Sequence, residues 1–290
     1  MTRILVTGIT SPLGLAVGRR LQAEGHRVVG TLRSSRTTAN NLPANELVVL
    51  DLEKRSSFSN ISGGFEAIVH VAAESEGSAE ELMTITGLGT LHLIERAQHL
   101  GVKRIIHISS MAVYGDITDE VVNENTQIRQ SIPYGAAKWA AECYLANKSR
   151  ELEAMSIRSP AIAGARTHRH FLAKMLNRMA RSEAIILSSN PDHLFNNLVH
   201  EDVLAEFIST LIQKQSLGLF RAFPIGSTDP MPLREIVARL AYKTKFKGEV
   251  KWVETKSSPF RIDSSGAIDL GYKPITTNET LDRWMSDADL

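Results

Sequence analysis

Tyr134 and Lys138 stand four residues apart in the segment Tyr134-Gly-Ala-Ala-Lys138, within a stretch whose pattern predicts a helix. Side chains four residues apart lie on the same helix face, so these two would be neighbours. A nearby ammonium stabilises a phenolate and lowers a tyrosine pKa that is about 10 in isolation. The pair is suited to proton transfer with a carbonyl or alcohol, although many helices carry the same spacing for structural reasons alone.

A glycine-containing loop, Gly8-Ile-Thr-Ser-Pro-Leu-Gly14, follows the first apolar run, Ile4–Val6, and leads into a helical pattern. At such a turn, small residues let the backbone approach a pyrophosphate, and the helix N-terminus offers free N–H groups. The alternative is a tight turn without a ligand. Its place at the first strand-to-helix turn of an alternating chain favours a dinucleotide site. The predicted contacts are Gly8, Thr10, Ser11, Leu13 and Gly14.

The end of the second predicted strand bears on the choice of nicotinamide cofactor. The strand Val28–Leu32 is followed by Arg33-Ser34-Ser35-Arg36, without Asp or Glu. A carboxylate there would bind the adenosine ribose hydroxyls, whereas guanidinium and hydroxyl donors suit a 2′-phosphate. Arg33, Ser34 and Arg36 therefore favour NADP(H), with NAD(H) as the alternative cofactor and a solvated basic turn as the alternative interpretation. Asp51, with its neighbour Leu52, is a candidate partner for the adenine.

The elements that must position these residues alternate along the first half of the chain. Short apolar runs predict strands, and longer helical patterns lie between them, including one over 79–100 that ends at Gly101 and one over 133–150. Alternating strands and helices predict a parallel, doubly wound sheet covered on both faces. The predicted strands are Ile4–Val6, Val28–Leu32, Leu47–Leu50, Ala67–Val71, Arg104–Ile108 and Met155–Arg158.

The pattern changes after about residue 165. A helix is predicted from Arg166 to Arg181, a strand at Ala184–Leu187, and helices at 202–214, 231–243 and 277–286. We expect residues 1–165 to form an NAD(P)-binding Rossmann domain. Residues 166–290 would form mainly a smaller substrate-binding lobe, interleaved with the last sheet strands.

Composition limits the class of protein. The 290 residues include 33 Lys and Arg against 32 Asp and Glu, a net charge of +1, so nucleic acid is not an expected partner. The single cysteine, Cys143, leaves no internal disulfide or cysteine-rich zinc site. No signal peptide or apolar stretch long enough to span a membrane is apparent. We therefore expect a cytoplasmic protein with no membrane partner and a small-molecule substrate.

Several segments in order resemble those of one family. The chain resembles an extended short-chain dehydrogenase/reductase of the NAD-dependent epimerase/dehydratase family over nearly its whole length. This implies a Rossmann-type α/β fold with a smaller C-terminal substrate-binding lobe. The matching segments are Thr7-Gly8-x-x-Ser11-x-x-Gly14, Val69-His70-Val71-Ala72-Ala73, Gly89-Thr90-Leu91 with Leu93, Glu95 and Ala97, Ser109-Ser110-x-x-Val113-Tyr114-Gly115, Tyr134-x-x-x-Lys138, Arg158-Ser-Pro160, Asn197-Leu-Val-His200-Glu-Asp202 and Leu270-Gly-Tyr-Lys-Pro274.

The resemblance implies roles for these residues. Ser110 would bind the substrate oxygen beside Tyr134, the general acid or base, while hydride moves to or from the nicotinamide. Lys138 would hold the nicotinamide ribose. It also implies a homodimer that packs through the Tyr134 helix, with Trp139, Ala140 and Cys143 on the shared face or, alternatively, buried within one subunit. Further implied contacts are Ala72, Ala73 and Pro160 for the cofactor and Met111 for the substrate.

The departures from the family pattern narrow the chemistry. Ser11 replaces the middle glycine of the phosphate loop, and Thr86 replaces an Asn expected to support the active-site backbone. Met111 and Ala112 stand where dehydratases carry an Asp-Glu pair, so elimination of water is not expected. Phe195 precedes the late motif where many sugar-nucleotide members have an arginine. Candidates to bind a substrate phosphate instead are Arg166, His168, Arg169, His170 and Arg261.

Three functions remain from the sequence. The first is an NADPH-using reductase of a keto-sugar, with or without a linked nucleotide, or of another small carbonyl compound. The alternative is a nucleotide-sugar epimerase that retains NAD(P)+, because the same residues would serve it. The third, less favoured, is an NADP(H)-sensing protein without turnover. Among other candidates, His70 is expected to make a structural hydrogen bond, Cys143 to be a small core residue, and no metal is expected.

Overall fold

The structure, a computed structural model, describes residues 2–36, 41–129, 132–148, 152–167, 170–253 and 259–288. Its strands, in chain order, are β1 Arg3–Thr7, β2 Arg27–Leu32, β3 Glu46–Val49, β4 Ala67–His70, β5 Arg104–Ser110, β6 Val121–Val122, β7 Glu153–Ser159, β8 Ala161–Ala163, β9 Ile185–Ser188, β10 Leu194–Phe195, β11 Leu198–His200, β12 Arg221–Pro224, β13 Met231–Pro232, β14 Val250–Val253 and β15 Arg261–Ile262. Its helices are α1 Pro12–Ala23, α2 Ala79–Leu82, α3 Gly89–His99, α4 Pro133–Lys148, α5 Phe171–Ala180, α6 Glu201–Gln213, α7 Leu233–Lys243, α8 Ser265–Ile268 and α9 Thr277–Asp287.

A seven-stranded parallel sheet organises the chain, in the order β12-β7-β5-β4-β1-β2-β3. The strand order reverses at β1, so the crevice for a ligand opens above the carboxyl ends of β1 and β4. The predicted Rossmann-type sheet is confirmed.

Helices cover both faces of this sheet. On one face α1 and α6 pack together, with Val17, Leu21, Leu204 and Ile208 in the core. On the other face α3 and α4 bury a second apolar cluster that contains Leu93 and Leu145. Burial on both faces explains the continuous apolar strands, because neither face meets water.

The helix predicted over 79–100 is not continuous. A π-helical segment, Met83–Leu88, separates α2 from α3. The buried Thr90 side chain donates to the Thr86 carbonyl at 2.6 Å, and Gly89 lies where a Cβ would come within 2.7 Å of Leu52. These contacts favour a widened turn, a feature that often marks functional sites in helices. Hydrophobic periodicity alone does not reveal it.

The second half departs further from prediction. The helix expected from Arg166 begins at Phe171, because His170 caps its N-terminus and residues 164–167 form a turn closed by Thr167 and Gly164. The strand β12 was not predicted, since Arg-Ala-Phe-Pro is short and ends in proline, yet it pairs with β7 and extends the main sheet. A separate apolar cluster around Leu176, Leu240 and Trp284 forms the core of this half.

Candidate active site

The first strand-to-helix turn has the geometry of an anion-binding loop. Gly8 has φ +67°, and a Cβ there would lie 3.0 Å from the backbone of Ala72. Ser11 caps α1: its hydroxyl donates to the Gly8 carbonyl at 2.8 Å and accepts the Gly14 N–H at 3.1 Å. Ser11 has φ −75°, a backbone conformation open to any residue, so the position does not require the glycine that the family carries there. The replacement therefore contributes a helix cap.

The loop fits a dinucleotide pyrophosphate. A Cβ at Gly14 would come within 2.1 Å of the Gly8 carbonyl oxygen, so the helix can start this close to the strand only with glycine there. The N-terminus of α1 brings the positive end of its dipole to the same point. Leu13 is buried and anchors this turn in the core, whereas Thr10 is exposed at the rim.

A chain of hydrogen bonds, in which the donor of each bond can be assigned, lies under this loop. The Thr7 hydroxyl oxygen accepts two backbone N–H groups, from the two residues that follow His70, so its own hydrogen is left for His70 Nδ1 at 2.8 Å. His70 Nε2 must then carry the other ring proton and donate it to the Thr90 hydroxyl at 2.9 Å, which donates to the Thr86 carbonyl. Burial, aided by Lys138, lowers the pKa of His70 to about 3, so the ring is neutral. The expected structural role of His70 agrees with these contacts.

His107 extends this polar layer across the sheet. It pairs in register with His70 on the neighbouring strand, and the two rings stack with centroids 5.7 Å apart. Its Nδ1 lies 3.0 Å from the Ser156 hydroxyl on β7. Burial holds the pKa of His107 well below its usual value, with Lys138 adding to the effect. His70 and His107 therefore form a polar layer in which both imidazole rings are neutral.

The three predicted catalytic residues lie on β5 and on α4, two elements that pack against each other. Lys138 is 1% exposed and donates from Nζ to the Ile108 carbonyl at 2.6 Å. Ser110 is the last residue of β5, and its hydroxyl accepts the Ala112 N–H at 3.1 Å, which caps the short helix of residues 111–114. Tyr134 is half-buried, one helical turn before Lys138, and α4 packs against that short helix. Burial lowers the pKa of Lys138 to about 7, against the opposing effect of the Glu142 carboxylate.

A buried ion pair supports this corner and was not predicted as part of the site. Arg158 Nη2 donates to Glu142 Oε2 at 2.8 Å, and the Ser109 hydroxyl donates to Glu142 Oε1 at 2.5 Å. The Arg158 guanidinium also lies 4.7 Å from the centre of the Tyr114 ring. Burial raises the pKa of Tyr114 to about 12, so it stays protonated. Glu142 stands four residues after Lys138, and that spacing is the signal that could have identified it.

Thr86 holds the backbone of the loop that follows β4. Its hydroxyl accepts the Glu74 N–H at 2.9 Å and donates to the Glu74 carbonyl at 2.8 Å. Thr86 is fully buried in the π-helical segment, which fixes the loop after β4 to the helix layer. The loop carries Ala72 and Ala73, both half-buried above the sheet edge.

The predicted adenosine contacts lie around the ends of β2 and β3. Arg33, Ser34 and Arg36 are exposed directly after β2, and Arg33 Nη2 lies 3.5 Å from Glu74 Oε2. Glu74 was not predicted in the site. Asp51 accepts the Glu53 N–H at 3.2 Å and pairs with Lys54 at 3.2 Å, beside the buried Leu52.

The predicted substrate contacts are spread around the opening. Met111 is half-buried next to Ser110, and Pro160 is half-buried directly after β7. Arg166 and Arg261 have exposed side chains, the latter on β15 beside β6. His168 and Arg169 lie outside the described residues.

Two residues near the predicted phosphate site, His170 and Phe195, take part in helix capping and in aromatic packing. His170 is a half-buried helix cap whose Nδ1 accepts the Ala173 N–H, and desolvation lowers its pKa to about 4. Phe195, which stands in place of an arginine, is buried edge-on against Phe171. Neither presents a charged group to the opening.

The outer face of α4 corrects one expectation. Trp139, Ala140 and Cys143 are exposed on this helix, so Cys143 is not a small core residue, and burial of this face within one subunit is wrong. The reason is the neighbouring helix positions: Lys138, Ala141, Glu142 and Leu145 face the sheet. Over the described ranges, no helix combines the length and apolarity that crossing a bilayer requires, and no group of three His, Cys, Asp or Glu side chains is placed to hold a metal.

The amino-acid sequence matches a known protein family and individual relatives. The model of the NAD dependent epimerase/dehydratase family matches residues 4–226. A UDP-glucose 4-epimerase of Mycolicibacterium smegmatis is 33% identical over 157 residues, which cover 49% of this chain and 50% of that protein. The matched region thus spans half the length of that relative.

Solved structures resemble the whole chain. A UDP-glucose 4-epimerase of Thermotoga maritima, solved with UDP-glucose, superposes with a TM-score of 0.83 at 23% identity and covers 98% of both chains. A UDP-glucose 4-epimerase of Thermus thermophilus, in complex with NAD, gives a TM-score of 0.80 at 20% identity and the same coverage. At such identities the likeness establishes the fold.

Proposed function

The chain belongs to the NAD-dependent epimerase/dehydratase family, and on that basis we propose that it is a nicotinamide-dependent epimerase of a nucleotide-linked sugar. The sequence placed an NADPH-dependent reductase first and an epimerase second. The relatives that carry the name UDP-glucose 4-epimerase favour the second interpretation. Inversion at carbon 4 of a UDP-hexose is the reaction that we propose.

The residues present fit a nicotinamide adenine dinucleotide. The loop Gly8–Gly14 and the N-terminus of α1 would hold the pyrophosphate, with Ala72 and Ala73 beside it. Lys138 would hold the nicotinamide ribose, and the turn after β2 would lie at the adenosine. Bound there, the nicotinamide ring supplies a reversible hydride acceptor.

Tyr134 would move the proton. As general base it accepts the proton of the sugar hydroxyl while the carbon loses hydride, and it later returns the proton to the ketone oxygen. Ser110 would donate a hydrogen bond to the same oxygen, and Lys138 would stabilise the phenolate. Between the two transfers the sugar must turn, so that the second hydride transfer occurs on its other face.

The observation that carries this proposal is the composition of the corner around β5. Ser110 ends β5, Lys138 bonds to the same strand, and Tyr134 lies one helical turn before Lys138 on α4. The two residues after Ser110 are Met111 and Ala112. Elimination of water would need a further acid and base there. A reversible oxidation and reduction of the sugar needs no acid or base besides Tyr134. The absence of a further acid and base therefore favours epimerisation over dehydration.

A reductase is the second candidate, and Arg33 and Arg36 favour it. Both are exposed directly after β2, where a 2′-phosphate would lie. Such a reductase would draw on NADPH and release a reduced product. It would use the same three catalytic residues, so the two candidates differ in the fate of the cofactor.

We also propose a homodimer that packs through α4. Trp139 is 44% exposed and Leu88, in the adjacent π-helical segment, is 50% exposed. These elements pack against each other, and their exposed apolar side chains, together with Ala140 and Cys143, would form the dimer face. Residues 166–290 would supply the substrate-binding lobe, with Arg166 and Arg261 as phosphate contacts.

Incubation with UDP-galactose tests the function. We expect conversion to UDP-glucose with no more than catalytic NAD+ and no net oxidation or reduction. One-for-one consumption of NADPH with a carbonyl compound, and no conversion of UDP-galactose, would instead support the reductase.

A further inference from the structure

The ion pair between Arg33 and Glu74 joins two loops that border the adenosine side of the crevice. Arg33 follows β2, and Glu74 follows β4. Their closest atoms, Nη2 and Oε2, are 3.5 Å apart. Nothing in the reaction described above uses this pair. If the adenosine binds at the end of β2 as proposed, the pair would lie beside its 2′ position, where NADP(H) and NAD(H) differ.

Glu74 is the fixed member of the pair. Thr86 holds its backbone N–H and carbonyl, and the Ser75 N–H donates to its Oε1 at 3.1 Å. The Glu74 side chain is 23% exposed, whereas that of Arg33 is 61% exposed. The Glu74 carboxylate is thus the more buried and more extensively bonded member of the pair, and it holds Arg33 as its counter-ion.

The position of Arg33 is also tied to the phosphate loop. Thr31, two residues before Arg33, accepts the Gly8 N–H at 3.2 Å through its hydroxyl. The end of β2 and the pyrophosphate loop therefore keep a constant separation. A ligand that bridges them meets Arg33 and Glu74 together.

Charge decides what this site accepts. A 2′-phosphate at Arg33 would lie beside the Glu74 carboxylate, and like charges held close together oppose binding. It would also compete with that carboxylate for the guanidinium. A free ribose carries no charge and leaves the ion pair intact.

We propose that Glu74 supplies, from the β4 loop, the carboxylate that the end of β2 lacks, and that its pairing with Arg33 makes the site select NAD(H) over NADP(H). Arg33 is then a counter-ion of Glu74 and no longer a phosphate ligand. This inference rests on the proposed function only in requiring that a nicotinamide dinucleotide binds. It reverses the cofactor preference inferred from the β2 turn alone.

Binding of NADH and NADPH to cofactor-free protein, followed by nicotinamide fluorescence, tests the inference. NADH should bind at least about tenfold more tightly. Glu74→Gln keeps an oxygen for the Ser75 N–H but removes the charge, and should tighten NADPH about tenfold while NADH changes little. Adding Arg33→Ala to that variant should abolish the gain.

Glu76→Gln is the matched control, since Glu76 is two residues along the same loop and pairs with Lys174 at 3.8 Å. It should leave both affinities unchanged. If Glu74→Gln fails to fold, Arg33→Ala alone decides: with Arg33 already paired, NADPH affinity should fall less than about threefold.

Tighter binding of NADPH than NADH by the wild-type protein, or an unchanged ratio in Glu74→Gln, would overturn the selection by Glu74 and leave the epimerase proposal standing. Binding of neither dinucleotide would overturn both.

Discussion

Lys138 donates from its buried Nζ to the backbone carbonyl of Ile108, 2.6 Å away. The bond joins α4 to β5 two residues before Ser110, so the helix that carries Tyr134 is positioned by the strand that carries Ser110. One side chain thereby aligns the two others with which it would act.

Replacing Lys138 by Met should abolish activity and stabilise the fold below pH 10. Burial lowers the pKa of Lys138 to about 7 in the folded protein, against 10.5 for a free lysine, so the charged form is disfavoured on folding. Wild-type stability should therefore rise between pH 7 and about pH 10.5, and the advantage of Met should shrink over that window. Melting temperatures from pH 6 to pH 10 measure this.

Lys174→Met is the control for that series, because Lys174 is 61% exposed on α5. Its difference from wild type should not vary with pH. A flat difference for Lys138→Met would contradict the account of a lysine held against ionisation by burial.

Tyr134→Phe should lower kcat by about two to four orders of magnitude, the usual contribution of a positioned acid or base. Cofactor affinity should change little, because Lys138 and the phosphate loop remain. Tyr144→Phe, on the same helix and remote from the strand end, should retain activity. Steady-state rates and cofactor titrations of both variants provide the test, and a fully active Tyr134→Phe would remove the residue from the mechanism.

Glu142→Gln should destabilise the protein by about 3–5 kcal/mol, because it leaves Arg158 charged, buried and without its carboxylate. Glu279→Gln, at the surface pair with Arg283, should lose no more than about 1 kcal/mol. The double variant Glu142→Met with Arg158→Met should lose less than Glu142→Gln. Denaturant unfolding gives the three free energies, and equal losses at the two single sites would refute a buried pair.

Glu201→Gln should remove a pH-dependent loss of folding stability. Burial, together with Asp202 and Asp287, raises the pKa of Glu201 to about 7, against the opposing effects of Arg19 and the Ala165 N–H. Its folded pKa exceeds 4.5, the value expected when unfolded, so wild-type stability should fall as the pH rises from about 4.5 to about 7. The melting temperature of Glu201→Gln relative to wild type should increase over the same range. Glu206→Gln, half-exposed on the same helix, should show no such trend.

The sequence predicted the features that depend on local pattern. The parallel sheet follows from apolar runs alternating with helices, and Tyr134 with Lys138 from their spacing. The π-helical turn at 83–88 was missed because it depends on Thr86 and Thr90 hydrogen bonds, and these do not alter the apolar periodicity.

Features that join distant segments could not be predicted in the same way. The turn after β2 contains no carboxylate, yet Glu74 reaches Arg33 from the β4 loop, forty-one residues further along the chain. Cys143 was expected in the core because it lies deep in α4, nine residues after Tyr134, but small and apolar residues lie on both the buried and the exposed faces of this helix. Pairing across the sheet and the orientation of a helix are tertiary properties.

The most direct test of the central claim uses UDP-galactose labelled with deuterium at carbon 4 of the sugar. If hydrogen leaves that carbon as hydride and returns to the same atom on its other face, NMR should find UDP-glucose that retains the deuterium at carbon 4, with none in water. The Tyr134→Phe variant should give no product. Loss of deuterium to solvent, or a product formed only while NADPH is consumed, would contradict an epimerase that acts by reversible hydride transfer.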